Sequence, residues 1–81
     1  MNVYILESIN SQRYYIGHTN DLERRLDEHN DVSRKGWTRM HVPWRVIYSR
    51  TYDTRANAMK EEKRLKSFKN RVTLEKYLQK R

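Results

Sequence analysis

The sequence predicts an α+β fold: a small three-stranded antiparallel sheet flanked by helices, in the order β-β-α-β-α-α. Three observations lead there. Residues 3–7, 13–17 and 44–52 are runs rich in β-branched and aromatic side chains. The stretches that follow the second and third runs repeat apolar residues at helical spacing. Asn10-Ser11 supplies turn chemistry between the first two runs, which makes them a hairpin.

Val3 to Glu7 has little polarity on either face, as expected of a strand buried on both sides. Arg13 to Gly17 reads as its hairpin partner. With an even number of loop residues, Tyr4 and Tyr15 project from the same sheet face. Asn20 with Glu23 three residues on forms a capping box, so the first helix is expected to start there and end near Asn30. Leu22, Leu26 and His29 follow at helical spacing, with Arg25 on the flank of that stripe. Arg24 and Glu28 can pair on the solvent side. Asp31 to Pro43 is expected to be a long loop, and Trp44 to Tyr52 the third strand. Asp53 or Thr54 can cap a second helix, Arg55 to Phe68, whose apolar stripe is Ala58, Met59, Leu65 and Phe68. A last helix over about Val72 to Gln79 packs Leu74, Tyr77 and Leu78.

At 81 residues the chain makes one domain, 1–81, with a small core. Eighteen Lys and Arg oppose ten Asp and Glu, a net charge of +8 that favours polyanion partners through charge attraction and counterion release. There is no cysteine, which excludes disulfides and thiolate metal sites. Met1 leads straight into a strand-like run and no segment reaches the length of a membrane span. The expectation is a cytoplasmic protein, possible association with the nucleoid included, and no membrane partner.

Tyr4 and Tyr15 as strand aromatics can be plain core. Placed near a guanidinium and a metal, a phenol loses its proton more easily and can orient or deprotonate a water. Arg25 abuts Leu22 and Leu26; it can lie on apolar surface, or clamp a phosphate oxygen and stabilise growing negative charge. His29, one turn on, is either a half-buried helix histidine or a phosphate donor and proton shuttle. Gly17 ends its strand at a change of direction, where a missing side chain also lets a phosphate approach the backbone. His18 and His41 are tied to these residues by no periodicity.

A divalent ion needs a carboxylate. Glu61 and Glu62 lie at opposite margins of the second helix's stripe, and helical geometry does not choose between them; both also read as surface glutamates among Lys60, Lys63 and Lys66. One carboxylate suffices for Mg²⁺, whose shell is completed by water and substrate phosphates. Between Ser33 and His41, the basic residues Arg34, Lys35 and Arg39 alternate with Trp37. Charges for phosphate and a ring for stacking suit nucleic-acid contact, although a solvated loop has the same composition. Lys60, Lys63, Arg64, Lys66, Lys69 and Arg71 form a basic stripe that fits a phosphate track or a solvated face.

These segments resemble the GIY-YIG endonuclease superfamily. Val3-Tyr4-Ile5 stands for its first signature, with Val3 in place of glycine, and Tyr15-Ile16-Gly17 is the second, intact. His18 to Asn30 is similar to the family's first helix, with Arg25 at the family arginine and His29 where His or Tyr is frequent. Ala58 to Lys66 is similar to the metal-site helix, and that resemblance selects Glu62. The chain looks most like the short single-domain branch related to the N-terminal nuclease part of the bacterial excision-repair incision subunit. The resemblance implies metal-dependent hydrolysis of DNA phosphodiester bonds, in repair or processing, with one Mg²⁺ or Mn²⁺ ion. It implies Tyr4, Tyr15, Arg25 and His29 as catalytic residues and Glu62 as the metal ligand. Gly17, His18, Arg34, Lys35, Trp37, Arg39 and Lys66 would then meet the nucleic acid. Asn70, the nearest candidate for an asparagine many relatives carry beyond the metal glutamate, sits at a short spacing and is not part of that set. The extra DNA-binding domain that many members append is missing, so a protein partner that supplies targeting is a further expectation. The rival readings are a nucleic-acid-binding module with a degenerate site and a protein-interaction domain whose tyrosines are core.

Overall fold

A computed structural model describes residues 1–33, 36–68 and 71–79, without the side chains of Trp37 and Arg71. The elements run β1 (Asn2–Ser8), β2 (Tyr14–Thr19), α1 (Leu22–Asn30), a 3₁₀ helix (Trp37–His41), β3 (Trp44–Thr51), α2 (Arg55–Lys66) and α3 (Arg71–Gln79). The three strands form one antiparallel sheet in the order β2-β1-β3. The fold is therefore α+β with the expected element order. No helix among the described residues is long and apolar enough to cross a membrane.

The central strand explains the architecture. Every residue from Val3 to Ser8 is buried, because helices cover both faces of the sheet. Val3 and Ile5 point to one side, where they pack with Tyr48, Ala58, Leu65 and Leu74 under α2 and α3. Tyr4 and Leu6 point to the other, with Trp44, Tyr15, Leu22 and Leu26 under α1. The pairing of β1 with β3 slips by one residue at Ile5/Leu6, so that Ile5 faces Tyr48 but Leu6 faces Val46. This bulge reverses the side-chain alternation of β3. Val46 thus serves the α1 side while Tyr48, two residues on, serves the α2 side.

The hairpin closes with Ser8 N–H donating to the Arg13 carbonyl and Gln12 N–H to the Ser8 carbonyl, with Gln12 at a φ of 62°. Tyr4 stands opposite Gly17 and Leu6 opposite Tyr15, so the two tyrosines do share a face. Asn30 fastens the end of α1 to β3. Its side-chain Nδ2 donates to the Trp44 carbonyl at 3.2 Å, and its Oδ1 accepts from the Trp44 N–H at 2.6 Å.

Several local expectations are corrected. Asp21, not Asn20, caps α1: its carboxylate accepts from the Arg24 N–H at 3.1 Å, and its own N–H is held by the Thr19 hydroxyl. Thr54 caps α2, which ends at Lys66 and not at Phe68. The segment expected to be loop holds the 3₁₀ helix, onto which Trp44 Nε1 donates through the Thr38 carbonyl. Met59 is exposed and does not belong to the apolar stripe of α2, while Glu61 does and is buried.

Candidate active site

The site grows from Tyr4 in the middle of the sheet. Its ring is held between Tyr15, stacked at 6.3 Å between centroids, and the helix α1 above. The Tyr4 hydroxyl lies 3.2 Å from His29 Nε2 and accepts from Arg25 Nε at 3.4 Å. Arg25 and His29 are four apart, so one turn of α1 places both over the same phenol. Tyr15 completes the cluster, its ring 4.4 Å from that of His29, and it shares a hydrogen bond with Arg25. The guanidinium is anchored from behind by Glu28, at 3.1 Å from Nη1. The sequence had offered Glu28 to Arg24; it holds Arg25 instead.

Gly17 has a different local reason from the one its sequence position implied. A Cβ built there would lie 2.8 Å from the Tyr4 hydroxyl and 3.2 Å from the Tyr15 ring. The absent side chain makes room for the paired phenols, and through them for the Arg25 and His29 contacts.

The electrostatics follow from burial. His29 is 5% exposed. Burial, helped by the Arg25 charge and opposed by Glu28, pushes its imidazole down to about 4, so it is neutral near pH 7. Tyr4 titrates above the ordinary phenol value: burial raises it, the Arg25 hydrogen bond lowers it, and burial wins. The guanidinium of Arg25 is held firmly charged, chiefly by its hydrogen bond to Tyr4. The expected easy loss of the Tyr4 proton therefore does not arise from Arg25 alone.

Glu62 lies in the other layer, on α2. α2 crosses the sheet with Glu62 over the edge strand β2, where Oε1 accepts from His18 Nδ1 at 2.6 Å and Oε2 from Lys66 Nζ at 3.0 Å. Burial opposes ionisation of Glu62, but His18 and Lys66 outweigh it and hold the carboxyl below its ordinary value. Its charge is the weakest of the influences on the Tyr4 phenol, behind burial. Glu61, the adjacent residue, turns the opposite way and accepts from Tyr48 and Tyr77 at 3.4 and 3.1 Å.

No group of three His, Asp or Glu among the described residues is arranged to hold a metal. The donors present still fit a hard divalent ion of the Mg²⁺ type. Glu62 is an ionised carboxylate at a sheet edge, and among the described residues one of its two oxygens is paired with the exposed Lys66.

Of the remaining sequence candidates, His18 and Lys66 thus meet at Glu62. Arg39 is exposed on the 3₁₀ helix. The backbone of Trp37 opens that helix, while its side chain, together with Arg34, Lys35, Lys69 and Asn70, lies outside the described residues. The His18–Glu62 pair was not legible in the sequence, since it joins a strand to a helix 44 positions away.

The family model of the GIY-YIG catalytic domain matches residues 1–80. A UPF0213 protein of Haloquadratum walsbyi is 36% identical over 66 residues, covering 82% of this chain and 73% of that protein. A UPF0213 protein of Streptococcus pneumoniae serotype 4 is 37% identical over 76 residues, 94% of this chain and 75% of its own length. One from Halobacterium salinarum is 34% identical over 65 residues, 80% of this chain and 83% of its own. No solved structure matches at comparable significance. A match that spans both tyrosine strands and both helices of the site makes the chain a member of the GIY-YIG nuclease family.

Proposed function

We propose that this protein is a divalent-metal-dependent DNA endonuclease acting in repair or processing, with Tyr4, Tyr15, Arg25 and His29 as catalytic residues and Glu62 as the metal ligand. The observation that carries the reading is the meeting of a buried phenol, a guanidinium and a neutral imidazole at one point. A core that needed only packing would not bury a phenol and an imidazole under a half-exposed guanidinium, because each polar group is costly to desolvate.

The hydrogen bonds favour Tyr4 as the base. Its hydroxyl already touches His29 Nε2, which is free of charge and able to take a proton. Arg25 Nε–H points at the oxygen where the phenolate charge would form. Tyr15, the more exposed ring, would orient the attacking water or the phosphate. Arg25 would also stabilise the charge on the pentacoordinate phosphate. Transfer of a proton from Tyr4 to His29 is uphill in the resting protein, since the phenol is raised and the imidazole lowered. Glu62 would hold one Mg²⁺ or Mn²⁺ ion, whose positive charge would acidify nearby hydroxyls and stabilise the leaving oxygen. Lys66 would give up its place on the carboxylate, and His18 would keep Glu62 oriented through the second oxygen. The basic surface would supply salt-sensitive phosphate contacts.

The test is a panel of linear, flapped and branched DNAs incubated with Mg²⁺, Mn²⁺ or EDTA. Strand cutting that appears with either ion and vanishes in EDTA is the expected result. Salt-sensitive binding with no cutting in any ion would instead identify a binding module with an inactive site.

A further inference from the structure

Glu61 lies on the opposite side of α2 from Glu62 and takes part in none of the chemistry above. It is 8% exposed and accepts from the hydroxyls of Tyr48 and Tyr77, with Tyr52 hydrogen-bonded to it as well. Tyr48 comes from β3, Tyr77 from α3 and Tyr52 from the residue after β3, so one buried carboxylate fixes rings from separate parts of the fold. With Asn57 it lines the floor of a pocket of about 430 Å³ walled by Tyr52 and Tyr77 and rimmed by Arg50, Lys60 and Arg64.

The rings orient the rim. The Arg50 guanidinium lies 5.6 Å from the centroid of Tyr52, and that of Arg64 lies 5.0 Å from the centroid of Tyr77. A guanidinium stacked on a fixed ring keeps its edge free and loses less entropy when it binds an oxyanion. Lys60 and Arg64 stand one turn apart on α2. Among the described residues, no carboxylate forms an ion pair with any of these three cations. Glu61 offsets only part of their charge, and it is turned inward under phenol donors.

We propose that this pocket is a second phosphate-binding site, which grips the backbone of the DNA away from the catalytic cluster. The inference rests on the nuclease reading for the identity of the polyanion. The pocket is open and edged by charge, unlike the enclosed apolar clefts that take small molecules. Both aromatic faces carry a guanidinium, so the rings are not free to stack on bases. What remains is bidentate contact with phosphate oxygens, independent of sequence.

The experiment has two arms. Binding of a short DNA duplex is measured against salt for the wild type, for Arg50→Ala with Arg64→Ala, and for Glu62→Gln. Loss of the two arginines should flatten the slope of log affinity against log salt by about two and weaken binding by about tenfold. If the arginine variant keeps the slope while Glu62→Gln stops cutting, the nuclease reading stands and this site falls. If the slope flattens but no DNA is ever cut, the site stands and the nuclease reading falls. In the second arm the unmutated protein is titrated with duplex, and separately with inorganic phosphate, while the Arg50 and Arg64 Nε–H signals are followed by NMR. Shifts with duplex at concentrations where phosphate alone leaves them unmoved support the site. No shift with duplex, whatever phosphate does, overturns it.

Discussion

The two sides of the sheet are built from different materials. Under α2 and α3, the aliphatic residues Val3, Ile5, Ala58, Leu65 and Leu74 pack with Tyr48, and the buried carboxylate there, Glu61, accepts from phenol hydroxyls. Under α1, the buried groups are Tyr4, Leu6, Trp44 and His29, with Arg25 and Tyr15 at the margin. A buried imidazole or phenol that must give up water stabilises a fold less than an aliphatic side chain of similar size. A chain of 81 residues has little core to spare. The contrast teaches that the aliphatic bulk of the core lies on one side of β1 and the phenol, guanidinium and imidazole cluster on the other, with alternate residues of a single strand serving each.

Perturbing each side should therefore have separable effects. Leu65 is 1% exposed in the aliphatic core. Leu65→Ala should cost about 2–5 kcal/mol of unfolding free energy through lost burial and a cavity. Cutting per folded molecule should stay at the wild-type rate, and a matching loss of rate would break the division. On the α1 side, Arg25→Ala should slow cutting by about 100- to 1,000-fold, or about 2.7–4 kcal/mol in barrier. Lys at this position should not restore the rate, because an ammonium cannot donate to both phenols and a phosphate in one plane. Single-turnover rates on saturating DNA decide this.

The α1 side should also carry the acid sensitivity of the fold. His29 titrates near 4 when folded, against 6.5 for an ordinary histidine. Between those values the unfolded chain holds a proton that the folded protein does not, so stability falls as pH drops through that window. By pH 4 the loss is about 3 kcal/mol. Glu62, whose pKa is lowered below its ordinary 4.5, adds its own loss only at the acid end. Denaturant melts at steps between pH 6.5 and 4 should show the decline in the wild type and a flatter profile in His29→Gln. Equal slopes in the two proteins would place the acid sensitivity elsewhere.

Much of this was legible in the sequence. The unbroken apolar run of β1 announced burial on both faces, and the four-residue spacing of Arg25 and His29 put them over one point. The shared face of Tyr4 and Tyr15 was conditional on an even loop, and the pairing of Tyr4 with Gly17 and Leu6 with Tyr15 meets that condition. Other features depend on contacts between distant elements and leave no local mark. The burial of Glu61 needs phenols from β3 and α3, and periodicity alone set Glu61 and Glu62 on equal terms. The His18–Glu62 pair depends on where α2 crosses β2. The bulge in β3 leaves Val46, Ile47 and Tyr48 reading as an ordinary strand while it redirects Tyr48 to the other core. The cap of α1 was misplaced by one residue because Asn20 and Asp21 can both cap, and the Thr19 hydroxyl bond to the Asp21 N–H is visible only in three dimensions.

The central claim is that the adjacent glutamates of α2 have opposite duties, Glu62 at the reaction and Glu61 in the fold. Its most direct test is Mn²⁺-dependent cutting of saturating DNA by Glu62→Gln and Glu61→Gln, with the unfolding free energy of each. Glu62→Gln should lose about 100-fold or more in rate, about 2.7 kcal/mol in barrier, with little change in stability. Glu61→Gln should cut at close to the wild-type rate while losing about 1.5–3 kcal/mol of stability, as phenol hydrogen bonds to a charge become bonds to an amide. A Glu61→Gln protein that folds but does not cut, beside a Glu62→Gln protein that does, would contradict the account.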